Sequence, residues 1–561
     1  MFEREWRGVT FGDALDAWAH RFARETAIIH GERRLTYAEL AEQVDGLARG
    51  LLHLGVEHGD RVGIWLPNIP EWVVAEFAIP KIGAVAVALN TRLRHHDLSY
   101  ILKHAGVSVI LVPARFLQID FLGMIARFVP DLADRPPGSW RSEELPELRE
   151  IISVGQTEYR GVRSWDEVVR AGRENVSDAE LARRAAAVRA DELAFLLYTS
   201  GTTSFPKGAM RTHDNVLQHA AVVGDRLLLN RNDRVLCAVP FVGTWGCHTI
   251  VPSTLSHGAA LVCQEWFDPE QALHLLEREA ISVLHGVDSM YLDIMDLPAL
   301  RTKRLPALRT GIAALVAGGG EALMARIRDE LGMTGVVQAY GLSEANAGLF
   351  MTRPLDPEEL RFRCGGWIPP EVEVEIADPA TGAFLKPGEE GEILVRGYNV
   401  MPGYYRQPDE TRRVIDDDGW LHTGDLGVKD ERGFYQFVGR LKDMIKTSGF
   451  NVSPREVEDF LMAHPGIRQA AVVGVPDPRV GEVIHAFIIR ENNPQGAALD
   501  ERSVIEYCRG QISNYKVPRR VRFVTSLPVT EGPHGAKVRK GELRELALKL
   551  EAQAAAEGAS A

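Results

Sequence analysis

Hydroxyl-bearing residues and glycines dominate the segment 198–208, Tyr-Thr-Ser-Gly-Thr-Thr-Ser-Phe-Pro-Lys-Gly, which follows a strand-like apolar run at 193–197. Their oxygens and backbone N–H groups can wrap a phosphate chain, and the lysine adds a positive charge. The residues concerned are Thr199, Ser200, Gly201, Thr202, Thr203 and Lys207. The spacing does not fit the Walker pattern, because no Gly-Lys-Ser/Thr opens a helix here. A flexible surface loop is the alternative, but Pro-Lys-Gly after a buried strand favours a phosphate-binding loop.

Three further segments could hold the rest of a nucleotide. Glycines at 318–320 would let a flat ligand approach the backbone closely, although a plain helix-entry turn fits them equally well. In segment 338–345, Tyr340 offers an aromatic face for a base, and Glu344 offers a carboxylate for a hard cation such as Mg²⁺. Asp425 follows a tight turn, where its carboxylate could accept both ribose hydroxyls. A surface turn is the alternative for each of the last two segments.

Composition restricts the class of protein. The chain has 561 residues, of which 45% are apolar and 25% charged, so it can bury several cores. Its net charge of −13 argues against a general nucleic-acid binder but allows a small anionic ligand in a local basic pocket. Five cysteines without a Cys-x-x-Cys pair predict reduced, mostly buried thiols in a cytoplasmic protein. The charged N-terminus does not resemble a signal peptide.

The elements that would position these residues alternate in type. Thr36 and Glu39 form a capping-box pattern that opens an amphipathic helix. Strand-like and helical runs then alternate through 61–112, which predicts a mostly parallel sheet covered on both faces. The uncharged stretch 235–264 is broken by prolines and glycines, so we expect buried core and pocket wall there, not a membrane span. Segment 130–146 is rich in Pro and charged residues and predicts a surface excursion.

A second, smaller unit follows the polar turn at 439–443. It contains predicted helices at 454–463 and 502–511 and predicted strands at 469–475, 483–490 and 520–523. The fold class expected is therefore α/β, with a large N-terminal body of mostly parallel sheets and flanking helices, plus a small mobile α+β lid. We predict the body at 1–440, the lid at 441–548 and a frayed helical tail at 549–561.

These segments occur in a characteristic order. From about residue 10 to residue 548 the chain resembles the adenylate-forming superfamily of acyl-CoA synthetases, adenylation domains and luciferases. The resemblance implies that a carboxylate attacks the α-phosphate of ATP, giving an acyl-adenylate and pyrophosphate. A thiol, in most members that of coenzyme A, then displaces AMP to give a thioester. ATP, Mg²⁺ and coenzyme A are the cofactors and co-substrates implied.

The same resemblance implies individual roles. The residues at 199–203 and Lys207 would hold the phosphates, with Thr199 counted as catalytic, and Ser343 would reach the α-phosphate. Tyr340 and Gly341 would contact the adenine, flanked by Gly320, Glu321 and Ala322. Glu344 would bind Mg²⁺, while Asp425 and Arg440 would hold the ribose. Trp245, Gly319 and Leu342 would line the acyl pocket.

The lid would supply the remaining groups. Segment 535–544, Gly-Ala-Lys-Val-Arg-Lys-Gly-Glu-Leu-Arg, is similar to the family's ending, and Lys537 then matches the lysine that bridges the carboxylate and the α-phosphate. A solvated surface lysine is the alternative. Lys442 would be the hinge, and Lys446, Ser448 and Gly449 would meet coenzyme A after the lid rotates.

Four departures from the family pattern stand out. Ser204 replaces a glycine of the phosphate loop, and Gly243 replaces a histidine, which predicts that Trp245 shapes the acyl wall. Asp288 stands where proline is common, and we expect it to face solvent. Beside Lys537, Ala536 precedes the lysine where glycine is usual, within a connection about three residues longer than the family's.

The function expected is ligation of a small to medium carboxylic acid to coenzyme A. The alternatives are transfer of the acyl group to a carrier protein's pantetheine and a catalytically degenerate nucleotide-binding homologue. The partners expected are the acid, ATP and coenzyme A, without nucleic acid or integral membrane contact, and a homodimer is left open.

Overall fold

A computed structural model describes residues 6–199, 206–315, 320–447, 450–477, 479–532 and 535–559. The first half of the chain alternates between strands and helices, as its periodicity predicts. Its strands are β1 (Thr26–His30), β2 (Arg33–Thr36), β3 (Arg61–Ile64), β4 (Val85–Ala88), β5 (Val107–Pro113), β6 (Arg115–Phe116), β7 (Ile119–Asp120), β8 (Glu150–Val154), β9 (Arg163–Ser164), β10 (Leu193–Thr199) and β11 (Lys207–Thr212). Its helices are α1 (Phe11–Arg21), α2 (Tyr37–His53), α3 (Pro70–Lys81), α4 (His95–Ala105), α5 (Phe121–Ala126), α6 (Trp165–Asn175), α7 (Asp178–Ala185) and α8 (His213–Arg226).

The chain continues with a second set of parallel strands. These are β12 (Arg234–Cys237), β13 (Ala260–Cys263), β14 (Val283–Val287), β15 (Thr310–Ala314) and β16 (Gly335–Val337). The helices between them are α9 (Val251–Ser256), α10 (Pro269–Arg278), α11 (Asp288–Met295) and α12 (Gly320–Leu331). A π-helical turn, Gly246–Ile250, leads into α9.

Two seven-stranded sheets form the centre of the body. One has the order β16-β15-β14-β12-β13-β1-β2 and the other β11-β10-β4-β3-β5-β8-β9. Every neighbouring pair is parallel except the edge pairs β1–β2 and β10–β11. The expectation of mostly parallel sheets is therefore confirmed for these two layers.

Helices cover both sheets because their strands are apolar on both faces. The largest hydrophobic core contains residues of both sheets together with α1, α2, α3, α8 and α9, so these helices pack between the sheets. Helices α10, α11 and α12 cover the outer face of one sheet, and α4 and α5 that of the other. Helix α2 begins at the capping box of Thr36 and Glu39, as predicted.

A third part of the body is antiparallel, which the sequence analysis did not predict. Its strands are β17 (Ala339–Leu342), β18 (Asn346–Met351), β19 (Gly365–Gly366), β20 (Val372–Ala377), β21 (Glu390–Gly397), β22 (Leu421–Lys429) and β23 (Tyr435–Arg440), and its helices are α13 (Glu358–Arg361) and α14 (Pro408–Arg412). Strands β19–β23 form one sheet in the order β19-β23-β22-β21-β20, and β17 pairs with β18.

The small C-terminal unit has its own core. Its strands are β24 (Ile445–Thr447), β25 (Phe450–Val452), β26 (Ile467–Asp477), β27 (Gly481–Arg490), β28 (Arg520–Phe523), β29 (Val529–Gly532) and β30 (Gly535–Val538). Its helices are α15 (Pro454–Met462), α16 (Pro494–Ala497), α17 (Glu501–Cys508) and α18 (Lys540–Ala559). The predicted elements of this unit are present within a few residues of their expected bounds.

One expectation about surface position is confirmed and one is wrong. Most residues of segment 130–146 are exposed, as expected, although Trp140 within it is buried and its indole N–H donates to Gly161 O at 2.9 Å. Asp288, expected in solvent, is only 5% exposed at the start of α11. The stretch 235–264 forms buried strands and helices, as expected. In the part of the chain that the structure describes, no helix is long and apolar enough to cross a membrane.

Candidate active site

A cleft of about 900 Å³ lies between the body and the small unit. Residues that the sequence analysis assigned to different parts of one ligand line it together. They are Lys207, Trp245, Tyr340, Gly341, Leu342, Ser343, Glu344, Asp425, Arg440 and Lys442. They come from β11, from the residue before the π-helical turn, from β17 and the turn after it, from the neighbouring strands β22 and β23, and from the 3₁₀ turn Leu441–Asp443.

Tyr340, Asp425 and Arg440 form one connected group in this cleft. The Tyr340 hydroxyl donates to Asp425 Oδ2 at 2.7 Å, and Arg440 Nε lies 3.5 Å from Asp425 Oδ1. Strand pairing positions the last two, since Asp425 on β22 faces Arg440 on β23. Burial and the Asp425 carboxylate hold the pKa of Tyr340 well above its ordinary value. The tyrosine therefore stays a neutral donor that fixes the carboxylate.

The Tyr340 ring belongs to an aromatic stack. It lies nearly parallel to Phe350, its cross-strand neighbour, at 4.6 Å between centroids, and to Phe437 at 5.2 Å. Arg455 of α15 lies over the Phe437 ring at 5.4 Å. A base that stacks on Tyr340 must share the ring with these neighbours, so adenine stacking on Tyr340 stays a prediction. The stack also links the small unit to the body.

Tyr404 connects Lys207 and Glu344, the two charged residues that the sequence analysis assigned to the phosphates and their cation. Its hydroxyl donates to Glu344 Oε1 at 2.8 Å, and the Lys207 ammonium lies 5.1 Å from the centre of its ring. Lys207 also pairs with Glu410 at 2.5 Å. Burial, with the Glu344 carboxylate next in importance, raises the pKa of Tyr404. Lys207 is thus held at the start of β11, beside the predicted phosphate loop.

The oxygen ligands at the cleft fit a magnesium ion only if substrate phosphates supply further ligands. Among the described residues there is no cluster of three or more His, Cys, Asp or Glu side chains able to hold a metal. Glu344 offers a single carboxylate at the cleft, of which Oε1 accepts from Tyr404. Mg²⁺ commonly binds one or two carboxylates, water and substrate phosphates. The residues present fit that mode and not an all-protein site.

The β29–β30 hairpin of the small unit, which carries Lys537, borders the same cleft. Lys537 pairs with Thr530 across the hairpin, and Thr530 and Val538 both line the cleft. Three residues further on, Lys540 pairs with the buried Glu458 at 2.7 Å. The hairpin that carries Lys537 therefore borders the cavity that contains Lys207 and Glu344.

Ion pairs fix the small unit against the body in this orientation. Arg468 of β26 lies 2.9 Å from Asp296 and 3.6 Å from Asp293, both on the body near the end of α11. Arg326 of α12 lies 3.9 Å from Glu491 of the small unit. Burial, and then the nearby Arg440, lowers the pKa of Lys442 at the predicted hinge.

Some predicted residues lie away from the cleft. Gly320, Glu321 and Ala322 open α12 and do not line the cavity, and Glu321 lies 3.7 Å from Arg363. Lys446 is exposed on β24. The predicted residues Ser200, Gly201, Thr202, Thr203, Gly319, Ser448 and Gly449, and the departure Ser204, lie outside the described residues. For Thr199 the structure gives the backbone position, opposite Lys207 in the β10–β11 ladder.

A tightly packed turn shapes the part of the cleft at Trp245, which the sequence analysis assigned to the acyl group. Trp245 lines the cavity and meets His285 edge to face at 6.3 Å. A Cβ atom at Gly246 would lie 2.4 Å from Pro240 O, so only glycine fits at the start of the π-helical turn. Without a side chain at Gly243, Trp245 is the large residue of this segment at the cavity.

Sequence reasoning missed three residues that act on this site. Tyr404 and Glu410 contact Glu344 and Lys207, and Arg455 borders the cleft over Phe437. Two tyrosines follow a Pro-Gly turn at 404–405, and this pattern was a usable signal for Tyr404. A tyrosine next to such a turn is often partly buried, and its hydroxyl then needs a hydrogen-bond partner. Glu410 and Arg455 had no comparable signal, because each lies in a segment with several other charged residues.

Comparison with known proteins gives matches along nearly the whole chain. The AMP-binding enzyme family matches residues 15–405, and its C-terminal domain family matches residues 456–532. A Mycobacterium tuberculosis protein named "3-[(3aS,4S,7aS)-7a-methyl-1,5-dioxo-octahydro-1H-inden-4-yl]propanoyl:CoA ligase" is 39% identical over 536 residues, covering 95% of this chain and 98% of its own. The mitochondrial medium-chain acyl-CoA ligase ACSF2 of Bos taurus is 34% identical, covering 96% of this chain and 87% of its own.

Solved structures match equally far. The anthranilate CoA ligase AuaEII, in complex with anthranoyl-AMP, superposes with a TM-score of 0.85 at 26% identity, covering 98% of this chain and all of its own. ATP-bound MatB from Rhodopseudomonas palustris has a TM-score of 0.78 at 29% identity, covering 96% of this chain and 99% of its own. The amide bond synthetase McbA from Marinactinospora thermotolerans has a TM-score of 0.78 at 28% identity, covering 95% of this chain and 99% of its own.

Proposed function

The chain belongs to the AMP-binding enzyme family and is an ATP-dependent acid–CoA ligase, for which we propose a small to medium carboxylic acid as the substrate. Apolar side chains such as Trp245, Ile312 and Leu342 line part of the cleft and suit a hydrocarbon body. Two relatives are named for medium-chain and for indane-propanoyl acids, which favours the same size range.

In the first step a carboxylate oxygen of the acid forms a bond to the α-phosphorus of ATP, and the bond to the pyrophosphate oxygen breaks. Negative charge grows on the phosphoryl oxygens, so nearby cations and donors accelerate the step. We assign Lys207 and the loop at 199–203 to the phosphates, and Ser343 to the α-phosphate. Mg²⁺, when bound, would neutralise part of this charge, and Glu344 would hold it.

Nucleotide recognition falls to the body. Asp425, fixed by the Tyr340 hydroxyl, would accept the ribose hydroxyls, and Arg440 beside it would orient that carboxylate. Gly341 and Tyr340 border the cleft where the base would lie. These groups hold the nucleotide while its α-phosphate faces the acid, which is the positioning that such a reaction needs.

Lys537 supplies the remaining charge in the first step. Its hairpin borders the cleft, and a compact ammonium there would contact both the carboxylate and the α-phosphate. In the second step the coenzyme A thiol attacks the acyl carbonyl and AMP leaves with the bonding electrons. We propose that the small unit rotates about Lys442 between the steps and brings Lys446, Ser448 and Gly449 to coenzyme A.

One observation carries this assignment: Lys207, Glu344, Asp425 and Arg440 of the body and the hairpin of Lys537 border a single cleft. The acyl acceptor is the least constrained part, because the fold of McbA is similar and that protein is an amide bond synthetase. A cytoplasmic location and a homodimer stay predictions.

Pyrophosphate release from ATP, measured with a panel of straight-chain, cyclic and aromatic acids with and without coenzyme A, tests the function. Acid-dependent release together with acyl-CoA, detected by mass spectrometry, supports it. Release without thioester would favour a carrier protein or an amine as acceptor, and absence of release with every acid would indicate a non-catalytic homologue.

A further inference from the structure

Arg211 is a fully buried arginine beneath the predicted active site, with no assigned role. It lies on β11 four residues after Lys207, and alternation along the strand places both side chains on one face. Lys207 extends from this face to Glu410, whereas Arg211 extends below the turn between β17 and β18. Burying a guanidinium is costly unless specific partners compensate for the lost water.

Those partners are carbonyl groups of the turn and its neighbour. Arg211 Nη2 donates to Ser343 O, and Nη1 donates to Asn399 O at 3.1 Å. The Asn399 amide in turn donates to Ala345 O at 2.8 Å. The residues on either side of Glu344 are thus held by one guanidinium and by the asparagine that it contacts.

Two further donors complete the support of the turn. Met401 N donates to Glu344 O at 2.8 Å, and His219 Nε2 lies 2.8 Å from Ala347 O. Burial lowers the pKa of His219 to about 4, so the ring is neutral and donates through Nε2. Four groups thus support the turn: Arg211, the Asn399 amide, Met401 N and His219. Arg211 is the charged one among these four, so it also attracts the Glu344 carboxylate.

Arg211 and Glu344 attract each other electrostatically. Burial lowers the pKa of Arg211 to about 10, and the attraction that opposes this effect comes first from Glu344. Its Nε has no hydrogen-bond partner among the described residues. The guanidinium therefore holds the turn through its two carbonyl contacts and attracts the Glu344 carboxylate of that turn.

We propose that Arg211 is the positioning residue that holds the Ser343–Glu344 turn so that Glu344 can bind the divalent cation of a nucleotide complex. The proposal rests on the proposed function for the identity of that complex. Arg211 touches neither substrate nor cation, and its effect passes through the backbone of Ser343 and the orientation of Glu344.

The test is direct binding of Mn²⁺, followed by electron paramagnetic resonance, to the full chain in the presence of α,β-methylene-ATP, whose carbon bridge prevents release of pyrophosphate so that no acid is adenylated. Arg211→Met keeps the length of the side chain without its donors and charge, and Arg211→Lys restores the charge and one donor. Arg361→Met is the matched control, because Arg361 is also buried and donates to carbonyls, Val336 O at 2.7 Å and Asp356 O at 2.9 Å, but does not border the cleft.

We expect Arg211→Met to weaken Mn²⁺ binding about 10–100-fold, as outer-shell substitutions at metal sites do, with partial recovery in Arg211→Lys and no change in Arg361→Met. In turnover, the same variant should raise the Mg²⁺ requirement and leave the KM for the acid unchanged. Wild-type Mn²⁺ affinity in Arg211→Met, or equal losses in Arg211→Met and Arg361→Met at matched melting temperatures, would overturn the proposal. Failure of the proposed function has a different signature, in which the wild type binds Mn²⁺ with the nucleotide but releases no pyrophosphate with any acid.

Discussion

The hydroxyl of Tyr404 lies 2.8 Å from Oε1 of Glu344, across 60 residues of sequence. The same tyrosine ring lies below the Lys207 ammonium. One side chain from a loop between β21 and α14 therefore orients both the candidate metal ligand and the candidate phosphate lysine. This contact connects the antiparallel part of the body to the β10–β11 hairpin.

Tyr404→Phe tests that contact. Hydrogen bonds to charged groups contribute about 1.5–3 kcal/mol, so loss of this one should raise the Mg²⁺ concentration for half-maximal pyrophosphate release about tenfold. Because the ring stays, the melting temperature should change little. Tyr405→Phe, which alters the neighbouring residue, is the control. An unchanged Mg²⁺ requirement in Tyr404→Phe would show that the hydroxyl does not orient Glu344.

Tyr340→Phe tests the ribose site. The change removes the 2.7 Å hydrogen bond to Asp425 and leaves that carboxylate less firmly held. A net loss of about 1 kcal/mol corresponds to a rise of about fivefold in the KM for ATP, with the KM for the acid unchanged. Steady-state kinetics at varied ATP measures it.

Tyr435→Phe is the matched control for this change, since Tyr435 belongs to the same aromatic stack and its hydroxyl donates to Val374 O at 2.7 Å. It should lower the melting temperature without changing the KM for ATP. Equal effects of the two substitutions on that KM would contradict a specific role for Tyr340.

Arg468→Ala tests whether the observed orientation of the small unit is the one that forms the adenylate. The change removes the pairs with Asp296 and Asp293, which are half-exposed and worth about 0.2–1 kcal/mol. We expect a fall of up to about fivefold in the rate of pyrophosphate release. The rate of thioester formation from synthetic acyl-adenylate should stay equal or increase.

Rapid-quench measurement of each half-reaction separates the two effects. Arg479→Ala, at an exposed arginine of the small unit, is the control and should change neither rate. A loss confined to the thioester step would mean that the observed orientation serves the second half-reaction instead.

Lys537→Ala tests the hairpin. Without the ammonium the adenylation step should slow about 100-fold or more, because charge stabilisation of this kind is worth several kcal/mol. Thioester formation from synthetic acyl-adenylate should continue. Lys549→Ala, at an exposed lysine of α18, is the control. Normal adenylation by Lys537→Ala would remove this residue from the mechanism.

Local signals in the sequence were sufficient for much of the fold. The capping box at Thr36 and Glu39 specifies where α2 begins, because both hydrogen bonds form within one turn. The alternation of apolar runs with helical segments predicted the strands of the parallel sheets. Such strands are buried on both faces, so each is visible in the sequence as a short continuous apolar run. In the same way, the order of the Lys207, Tyr340 and Asp425 segments predicted residues that now border one cleft.

Contacts between distant segments were not accessible to the same reasoning. Arg211 and Ser343 are 132 residues apart, and nothing local distinguishes a buried arginine from a surface one on a strand. Asp288 was expected in solvent because charged side chains are mostly exposed, but it is buried near Arg455 of the small unit. Trp140 likewise lies in a segment whose charged residues suggested surface, while its ring packs in the core.

The transfer of oxygen during turnover tests the central claim most directly. An acid labelled with ¹⁸O in its carboxylate, incubated with the enzyme, ATP, Mg²⁺ and coenzyme A, should give AMP that contains one ¹⁸O atom per molecule of thioester formed. Mass spectrometry of the AMP measures this ratio, because the labelled oxygen leaves with the phosphate when the thiol attacks the acyl-adenylate. Thioester formed with unlabelled AMP, or with ADP and labelled phosphate, would contradict attack of the carboxylate on the α-phosphate.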